Sequence, residues 1–386
     1  MKPPIPKPEH FTSALRSPAV AARVGVWLGI CFGICFITGL ISHYAQEVSQ
    51  PIAFPTTPAW GYRLNQGLHV ATGTAAIPLL VVKLWTVYPR LFEGFPLGNA
   101  RKMLVVGLER ASIAVLVAAG TFQLVTGLLN SAQWYPWTFS FRSTHYALAW
   151  IAIGALGVHI AIKLPIIRDV LLGDVDDVKH DRPSATQEGA LSRRGLLRTT
   201  WVAAGVAVVA TAGATVPLLR KVSVLGVRSG EGPQGIPINK SAQAARITDG
   251  MVGAGYRLKV MAGDVEMSFT RDELLAMPQR TETLPIACVE GWSASGEWTG
   301  VRIRDLLDAI GAPAGSEVVA RSLQPSGLFR VTTLQANFVD DDRTLLALQL
   351  AGQDLDIDHG FPCRLIAPNR PGVLQTKWLE ALEVRT

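Results

Sequence analysis

The stretch Ser143-Thr144-His145-Tyr146-Ala147-Leu148-Ala149-Trp150-Ile151-Ala152-Ile153-Gly154-Ala155-Leu156-Gly157-Val158-His159-Ile160-Ala161-Ile162 contains no lysine, arginine, aspartate or glutamate. Wound as a helix, its twenty residues reach across the ~30 Å hydrocarbon core of a bilayer. Two histidines inside such a segment are costly and therefore functional by default. His145 and His159 are fourteen residues apart. At 100° per residue they stand about 40° apart on one helix face and about 21 Å apart along the axis, one near each side of the membrane.

Four further windows carry no charge: 24–46, 64–82, 111–141 (apolar through about 129) and 199–219. The composition agrees, since 49% of the 386 residues are hydrophobic and only 17% charged, with a mean hydropathy of +0.27; a soluble protein does not have these values. The 36 basic residues outnumber the 30 acidic ones, and their positions explain why. Lys2, Lys7, Arg16 and Arg23 precede the first span, Arg90, Arg101, Lys102 and Arg110 fill the second connection, and Lys163, Arg168, Lys179, Arg182, Arg193, Arg194 and Arg198 fill the fourth. By the positive-inside rule those segments are cytoplasmic, whereas the connections with Arg63 and Arg142, lined by Trp60, Trp134, Tyr135 and Trp137, face outward. The expectation is a multi-pass plasma-membrane protein in contact with lipid, its N-terminus cytoplasmic and everything after residue 220 extracytoplasmic. No nucleic-acid partner is needed to account for the basic surplus. The cysteines Cys31, Cys35, Cys288 and Cys363 fit neither a disulfide framework nor a CxxC zinc site. A cleavable leader is not expected, the first span serving as the insertion signal.

The chain thus reads as a cytoplasmic tail 1–22, a four-helix membrane domain 23–170, a cytoplasmic loop 171–198, a fifth span 199–219, a linker 220–239 and an outer domain 240–386. Its fold class is multi-domain, an all-α five-helix transmembrane bundle followed by an α+β domain.

His43, His69, His145 and His159 lie in or at the edges of the first four spans, and histidine is the usual ligand of b-type haem. His69 shares its level with His145, so one outer haem clamped between them is the economical reading. Lys83, not a histidine, stands fourteen residues after His69, leaving His159 without an evident partner and a second haem open. Lys83 is expected to snorkel to the cytoplasmic interface. His43 is either a third outer-face ligand or an interfacial side chain. This pattern, over about residues 10 to 170, resembles the cytochrome b subunits that anchor formate dehydrogenases and hydrogenases. Those subunits hold two haems with four histidines, the inner haem using a histidine near the cytoplasmic end of the first helix, where this chain has Arg16 and Arg23. The resemblance implies haem b and a quinone pool or another membrane electron donor as partner.

Ser192-Arg193-Arg194-Gly195-Leu196-Leu197, just before the weakly apolar fifth span, looks like an internal twin-arginine export signal. Two arginines before a span also satisfy the positive-inside rule. A domain that takes up a complex cofactor inside the cell has to cross the membrane folded, which favours the export reading.

In the linker, Gly230-Glu231-Gly232-Pro233-Gln234-Gly235 matches GxGxxG, but neither strand nor helix frames it and Ile236-Pro237 follows, so it is not a dinucleotide site. The outer domain alternates short strands, such as 256–261 and 317–323, with two short helices, one opening on the capping box Thr270-Arg271-Asp272-Glu273 and one over 303–310. Within it, Cys288-Val289-Glu290-Gly291-Trp292, Trp298-Thr299-Gly300-Val301-Arg302, His359-Gly360-Phe361-Pro362-Cys363-Arg364-Leu365 and Thr376-Lys377-Trp378-Leu379 stand in sequence. These motifs resemble the sulfite-oxidase superfamily of molybdopterin enzymes, particularly its periplasmic methionine-sulfoxide-reductase branch. The resemblance implies a sulfite-oxidase-type α+β fold and a molybdenum–molybdopterin cofactor whose metal takes the Cys288 thiolate; a soft thiolate suits a metal that cycles by two electrons. It further implies that His359, Arg364 and Lys377 hold the pterin phosphate and that Asn239 and Lys240 open the cofactor site. Cys363 is read as a buried inert thiol. Sulfite oxidases follow their cysteine with arginines that grip an oxyanion; here Glu290 and Trp292 follow instead, which favours a neutral S- or N-oxide. The expected function is a membrane-anchored molybdenum oxidoreductase passing electrons from haem and quinone to a small-molecule oxide substrate. Its rivals are a sulfite-type oxidase running the other way and a non-catalytic transmembrane electron-transfer or binding protein.

Overall fold

The computed structural model describes residues 6–49, 52–226 and 232–385. Lys2 and the first two residues of the GxGxxG stretch lie outside them. Five helices are long and apolar enough to cross a membrane: α1 (Pro18–Ala45), α2 (Gly61–Val87), α3 (Ala100–Ser131), α4 (Phe141–Leu172) and α5 (Arg193–Thr211). An α+β domain follows, so the fold class is the one expected. The chain forms two compact units, the first made of Met1–Gly39, Leu68–Ala212 and Val222–Leu225, the second of Leu40–Gly67, Gly213–Lys221 and Gly226–Thr386. The second unit therefore includes residues 40–67, which charge and hydropathy alone assign to the bundle.

In the first unit the helices are apolar around most of their circumference, and specificity comes from the few polar groups. Arg23 of α1 donates to Val170 O at 3.0 Å and Gly173 O at 2.7 Å, satisfying carbonyls at the C-terminus of α4 that the helix cannot bond itself. Trp27 of α1 meets Trp201 of α5 edge to face at 4.5 Å, and Phe36 meets Trp150 of α4 at 4.9 Å. Asn99 caps α3 by accepting from Lys102 N, and Ser192 caps α5 by accepting from Gly195 N.

Both twin arginines are engaged in the fold. Arg193 is buried against Asp181 and donates to Val175 O and Asp177 O, while Arg194 pairs with Asp174 and Asp176 near the surface. Replacing both arginines with lysine keeps the charge but loses the guanidinium fork. If the pair is an export signal, the expected result is that residues beyond 240 stay protected from protease on intact cells. Asp181→Asn is the control, since it breaks the buried pair and leaves the arginines in place. It should export normally; equal failure of both variants would make the pair a structural device only.

In the second unit two sheets build the outer domain. One has the order β2 (Val265–Phe269), β1 (Leu258–Ala262), β10 (Leu379–Val384), β5 (Val318–Ser322), β6 (Val331–Leu334). The other has the order β3 (Arg280–Ala287), β4 (Ser293–Arg302), β7 (Leu345–Leu350), β8 (Gln353–Asp354), with β9 (Arg364–Ile366) also paired to β7. Only β1 and β10 run parallel among the strand pairs of the described residues. Alternation in β5 buries Val318, Ala320 and Ser322, and its apolar residues join Leu258, Val260, Leu306, Leu334 and Leu382 in the larger core. The smaller core gathers Leu284, Ile286, Trp298, Leu345 and Ile366 around Cys288. β4 bulges at Gly300, where a Cβ would lie 2.0 Å from Leu346 O, so only glycine lets the strands approach. The helices Arg271–Ala276, with the expected capping box, and Ile303–Ala309 lie at the places read from sequence.

The loop between α1 and α2 is strapped to this domain. Thr333 N donates to Val48 O at 3.4 Å, Asn337 to Phe54 O at 2.6 Å, and Arg343 to Thr57 Oγ1 at 3.0 Å. Asn369 bonds three times: its amide donates to Pro55 O, its backbone N to Ala59 O, and its Oδ1 accepts from Tyr62 N. Arg63 donates to Ala294 O at 2.9 Å and Ser295 Oγ at 2.6 Å. An irregular segment has no ladder of its own, so its carbonyls need such external donors.

Candidate functional site

β3 is an edge strand, which accommodates Pro285, and it delivers Cys288 at the start of a tight connection to β4. Gly291 N donates to Cys288 O at 3.2 Å and Cys288 N to Trp292 O at 2.9 Å, closing the loop. Gly291 has φ +78°, a conformation that suits glycine. Thr215 Oγ1 donates to Gly291 O and fixes the loop from outside. The Cys288 thiol is buried, 3.8 Å from Glu290 Oε2. Burial and then the neighbouring carboxylate push the thiol well above its ordinary range, and burial likewise raises the Glu290 carboxyl. Such a thiol is inert until a metal takes the place of its proton. Trp292 is buried in the same small core.

A second set of groups converges near the strand ends. Gly360, at φ +112°, leaves room for the Cβ atoms of Arg364 and Lys377, each 3.1 Å from where its own Cβ would lie. Lys377 Nζ donates to Asp358 O at 2.9 Å and to Lys240 O, and Lys240 Nζ donates to Gln324 Oε1 at 2.8 Å. Arg364 donates to His359 O and Gln375 O, lies over the Trp298 ring at 5.0 Å, and keeps a buried Nε with no partner. His359 Nε2 bonds Pro233 O. Asn239 is exposed. Burial lowers His359, and it holds Arg364 down to about 9; burial, then Arg364, hold Lys377 down to about 7. Three desolvated cationic or imidazole groups and an orphaned N–H, with no carboxylate bonded to any of them among the described residues, fit a group that brings its own negative charge. Asp358 and Gln375 escape a reading of the sequence because they act through backbone geometry. Cys363 is apart from this set, buried with its sulfur 3.1 Å from Tyr256 OH.

In the first unit, the rings of His69 of α2 and His145 of α4 have centres 6.3 Å apart and planes inclined at 61°. Thr38 Oγ1 lies 3.0 Å from His69 Nδ1 and Thr126 Oγ1 3.3 Å from His145 Nδ1. Each threonine spends its own hydrogen on a carbonyl one turn back, Ile34 O and Phe122 O. Each oxygen is thus left to accept from an Nδ1–H, which leaves the lone pair on Nε2, the tautomer a metal requires. With metal–imidazole bonds of about 2 Å and the ring centre about 1 Å further back, two imidazoles facing across one metal have centres about 6 Å apart. Gly39 and Gly127 border the rings, where Cβ atoms would lie 3.3 Å and 3.7 Å from the Cε1 atoms of His69 and His145. These residues fit one b-type haem. The threonines and glycines are legible in the sequence only as small or polar residues in apolar runs. His43 pairs with Glu47 at 3.6 Å, and His159 lies among the charges of Lys83, Lys163 and Glu109. Lys83 Nζ donates to Ala21 O, in the first turn of α1, at 2.8 Å.

Residues 246–386 match the family described as the oxidoreductase molybdopterin binding domain. The outer domain is therefore of the molybdopterin-binding oxidoreductase class. The chain is similar to the protein named as the YedZ1 subunit of a protein-methionine-sulfoxide reductase of Azospira oryzae, 33% identical over 133 residues covering 34% of this chain and 49% of that one. It is also similar to sulfite oxidase of Arabidopsis thaliana, 30% identical over 113 residues (24% and 28% of the two chains), and to mitochondrial sulfite oxidase of Homo sapiens, 27% over 158 residues (34% and 29%). The matches span about half of the first relative's length and under a third of the others'.

Proposed function

We propose that the protein is a membrane-anchored oxidoreductase that draws electrons from the quinone pool through a b-type haem and reduces a small S- or N-oxide at a molybdenum–molybdopterin site in an extracytoplasmic domain. The observation that carries this reading is the buried Cys288 with the Glu290 carboxyl 3.8 Å from its sulfur. Cys288 supplies the thiolate ligand, and His359, Arg364 and Lys377, with Lys240 and Asn239 at the opening, hold the pterin phosphate. When bound, the molybdenum centre supplies two-electron oxygen-atom exchange. For a sulfoxide the balance is one sulfoxide, two protons and two electrons giving one sulfide and one water, so the site also needs protons. Glu290, its carboxyl raised by burial, is suited to hold one beside the reacting oxygen. A protonated carboxyl there can donate a hydrogen bond to a neutral oxide and offers sulfite none of the guanidinium pairing that holds an oxyanion. The YedZ1 relative's name supports a methionine sulfoxide substrate.

The similarity to sulfite oxidases favours a second reading, oxidation of sulfite with electrons returning to haem. One experiment separates them. In the purified protein, haem pre-reduced by a quinol analogue is expected to be oxidised on adding methionine sulfoxide and to stay oxidised on adding sulfite. Reduction of oxidised haem by sulfite would reverse the assignment.

The phosphate-holding role makes a pH prediction. A phosphate favours the charged form of Lys377, so binding takes up a proton wherever that lysine is neutral. Cofactor uptake by the apo-protein should be flat below its value of about 7. Above it, uptake should weaken by up to about tenfold per pH unit. Lys377→Met should remove the dependence and weaken uptake about tenfold to a hundredfold, the worth of one charge-assisted hydrogen bond. Molybdenum content after dialysis at several pH values measures both; an unchanged profile in the variant would refute the role.

A further inference from the structure

The bundle repeats itself at a fixed interval. Gly39 borders His69 and Gly25 borders Lys83. From Gly25 to Gly39, from His69 to Lys83 and from His145 to His159 is fourteen residues each time, which returns a helix to nearly the same face about 21 Å along. α1 lies antiparallel in sequence logic to α2 and α4, so glycine, α2 residue and α4 residue recur as two layers: Gly39, His69 and His145 in one, Gly25, Lys83 and His159 in the other. In the first layer the imidazole centres stand 6.3 Å apart. In the second a lysine stands on α2 where the first has a histidine. Lys83 Nζ lies 3.0 Å from where a Gly25 Cβ would stand and donates to Ala21 O. Around it, Glu109 and Lys163 form an ion pair, and His159 lies within reach of the charges of Lys83, Lys163 and Glu109.

We infer that the inner layer is a second haem position occupied by the lysine ammonium, so that the chain carries one haem, between His69 and His145, and His159 is no iron ligand. The residues there do not fit the group: a cation is held on the backbone of α1 where a second imidazole is required, and Gly25 accommodates the lysine's end instead of a macrocycle's edge. Lys83 instead cross-links α1 to α2. The inference rests on the haem reading above and sharpens it to a count and a ligand set.

The test is haem per chain, from the pyridine–haem spectrum of purified full-length protein, with molybdenum content and gel-filtration profile as checks on folding. One haem per chain is expected in the wild type and in His159→Ala, and none in His69→Ala. Lys83→His restores histidines fourteen residues apart on both α2 and α4 and should raise the ratio to two. Two haems in the wild type, or a loss of haem in folded His159→Ala, would overturn the inference. A ratio remaining at one in Lys83→His would overturn the identification of the inner layer as a haem position. Absence of haem from the wild type would instead remove the underlying haem reading and this inference with it.

Discussion

Cys288→Ser should abolish oxide reduction, by about a thousandfold or more as for loss of a group acting directly at the reacting centre, while the haem spectrum stays unchanged. Cys288 sits in a loop closed by its own backbone bonds to Gly291 and Trp292, so serine, which differs by one atom, disturbs little of the fold. What changes is the donor: a hard, weakly acidic hydroxyl in place of a soft thiolate. The burial that raises the thiol keeps the hydroxyl protonated even more firmly. Turnover with reduced viologen and methionine sulfoxide reads the outcome. Molybdenum retained with wild-type turnover would refute the ligand assignment. Cys363→Ser is the companion: its thiol, pushed up to about 12 and bonded to Tyr256, serves packing, so this variant should lose stability and keep its turnover per folded molecule.

The second large effect is expected at the imidazole pair. His69→Ala and His145→Ala should each remove the same haem completely, since a six-coordinate b haem loses both a bond and its cross-link between helices when either ligand goes. Quinol-driven reduction should fall to background, and viologen-driven reduction should survive because the molybdopterin-binding domain has its own core. Thr38→Val and Thr126→Val probe the same site more gently. Each removes the acceptor that fixes an Nδ1–H and should weaken haem retention by about tenfold to a hundredfold. Different haems lost in the two alanine variants would break the pairing, and an unchanged spectrum in both would make the histidines packing residues.

Periodicity and charge make the five helices legible, because a bilayer imposes one length and one polarity on every span. Cys288 and the Lys377 region are legible because their motifs are local. The threonine partners of the histidines are not, since Thr38 meets His69 and Thr126 meets His145 only once separate helices pack. The partner of Lys83 is hidden for a related reason: its bond to Ala21 O and its approach to Gly25 exist only once α1 and α2 pack. The strap is invisible as well. Nothing in Phe54-Pro55-Thr56-Thr57-Pro58 announces that Asn337, Arg343 and Asn369 will bond its carbonyls.

That strap orders the birth of the protein. Residues 46–63 leave the ribosome over two hundred residues ahead of Cys288, about ten seconds or more at ordinary rates of synthesis. Their donors come later still, because Asn337, Arg343 and Asn369 all follow Cys288 in the chain. Through that interval the carbonyls of Phe54, Pro55 and Ala59 have only water to bond, and the nascent chain holds half an interface waiting for its other half. Closure of the unit that contains the cysteine thus waits on synthesis through Asn369, and a chain cut short before that residue keeps its five apolar helices but never completes that unit.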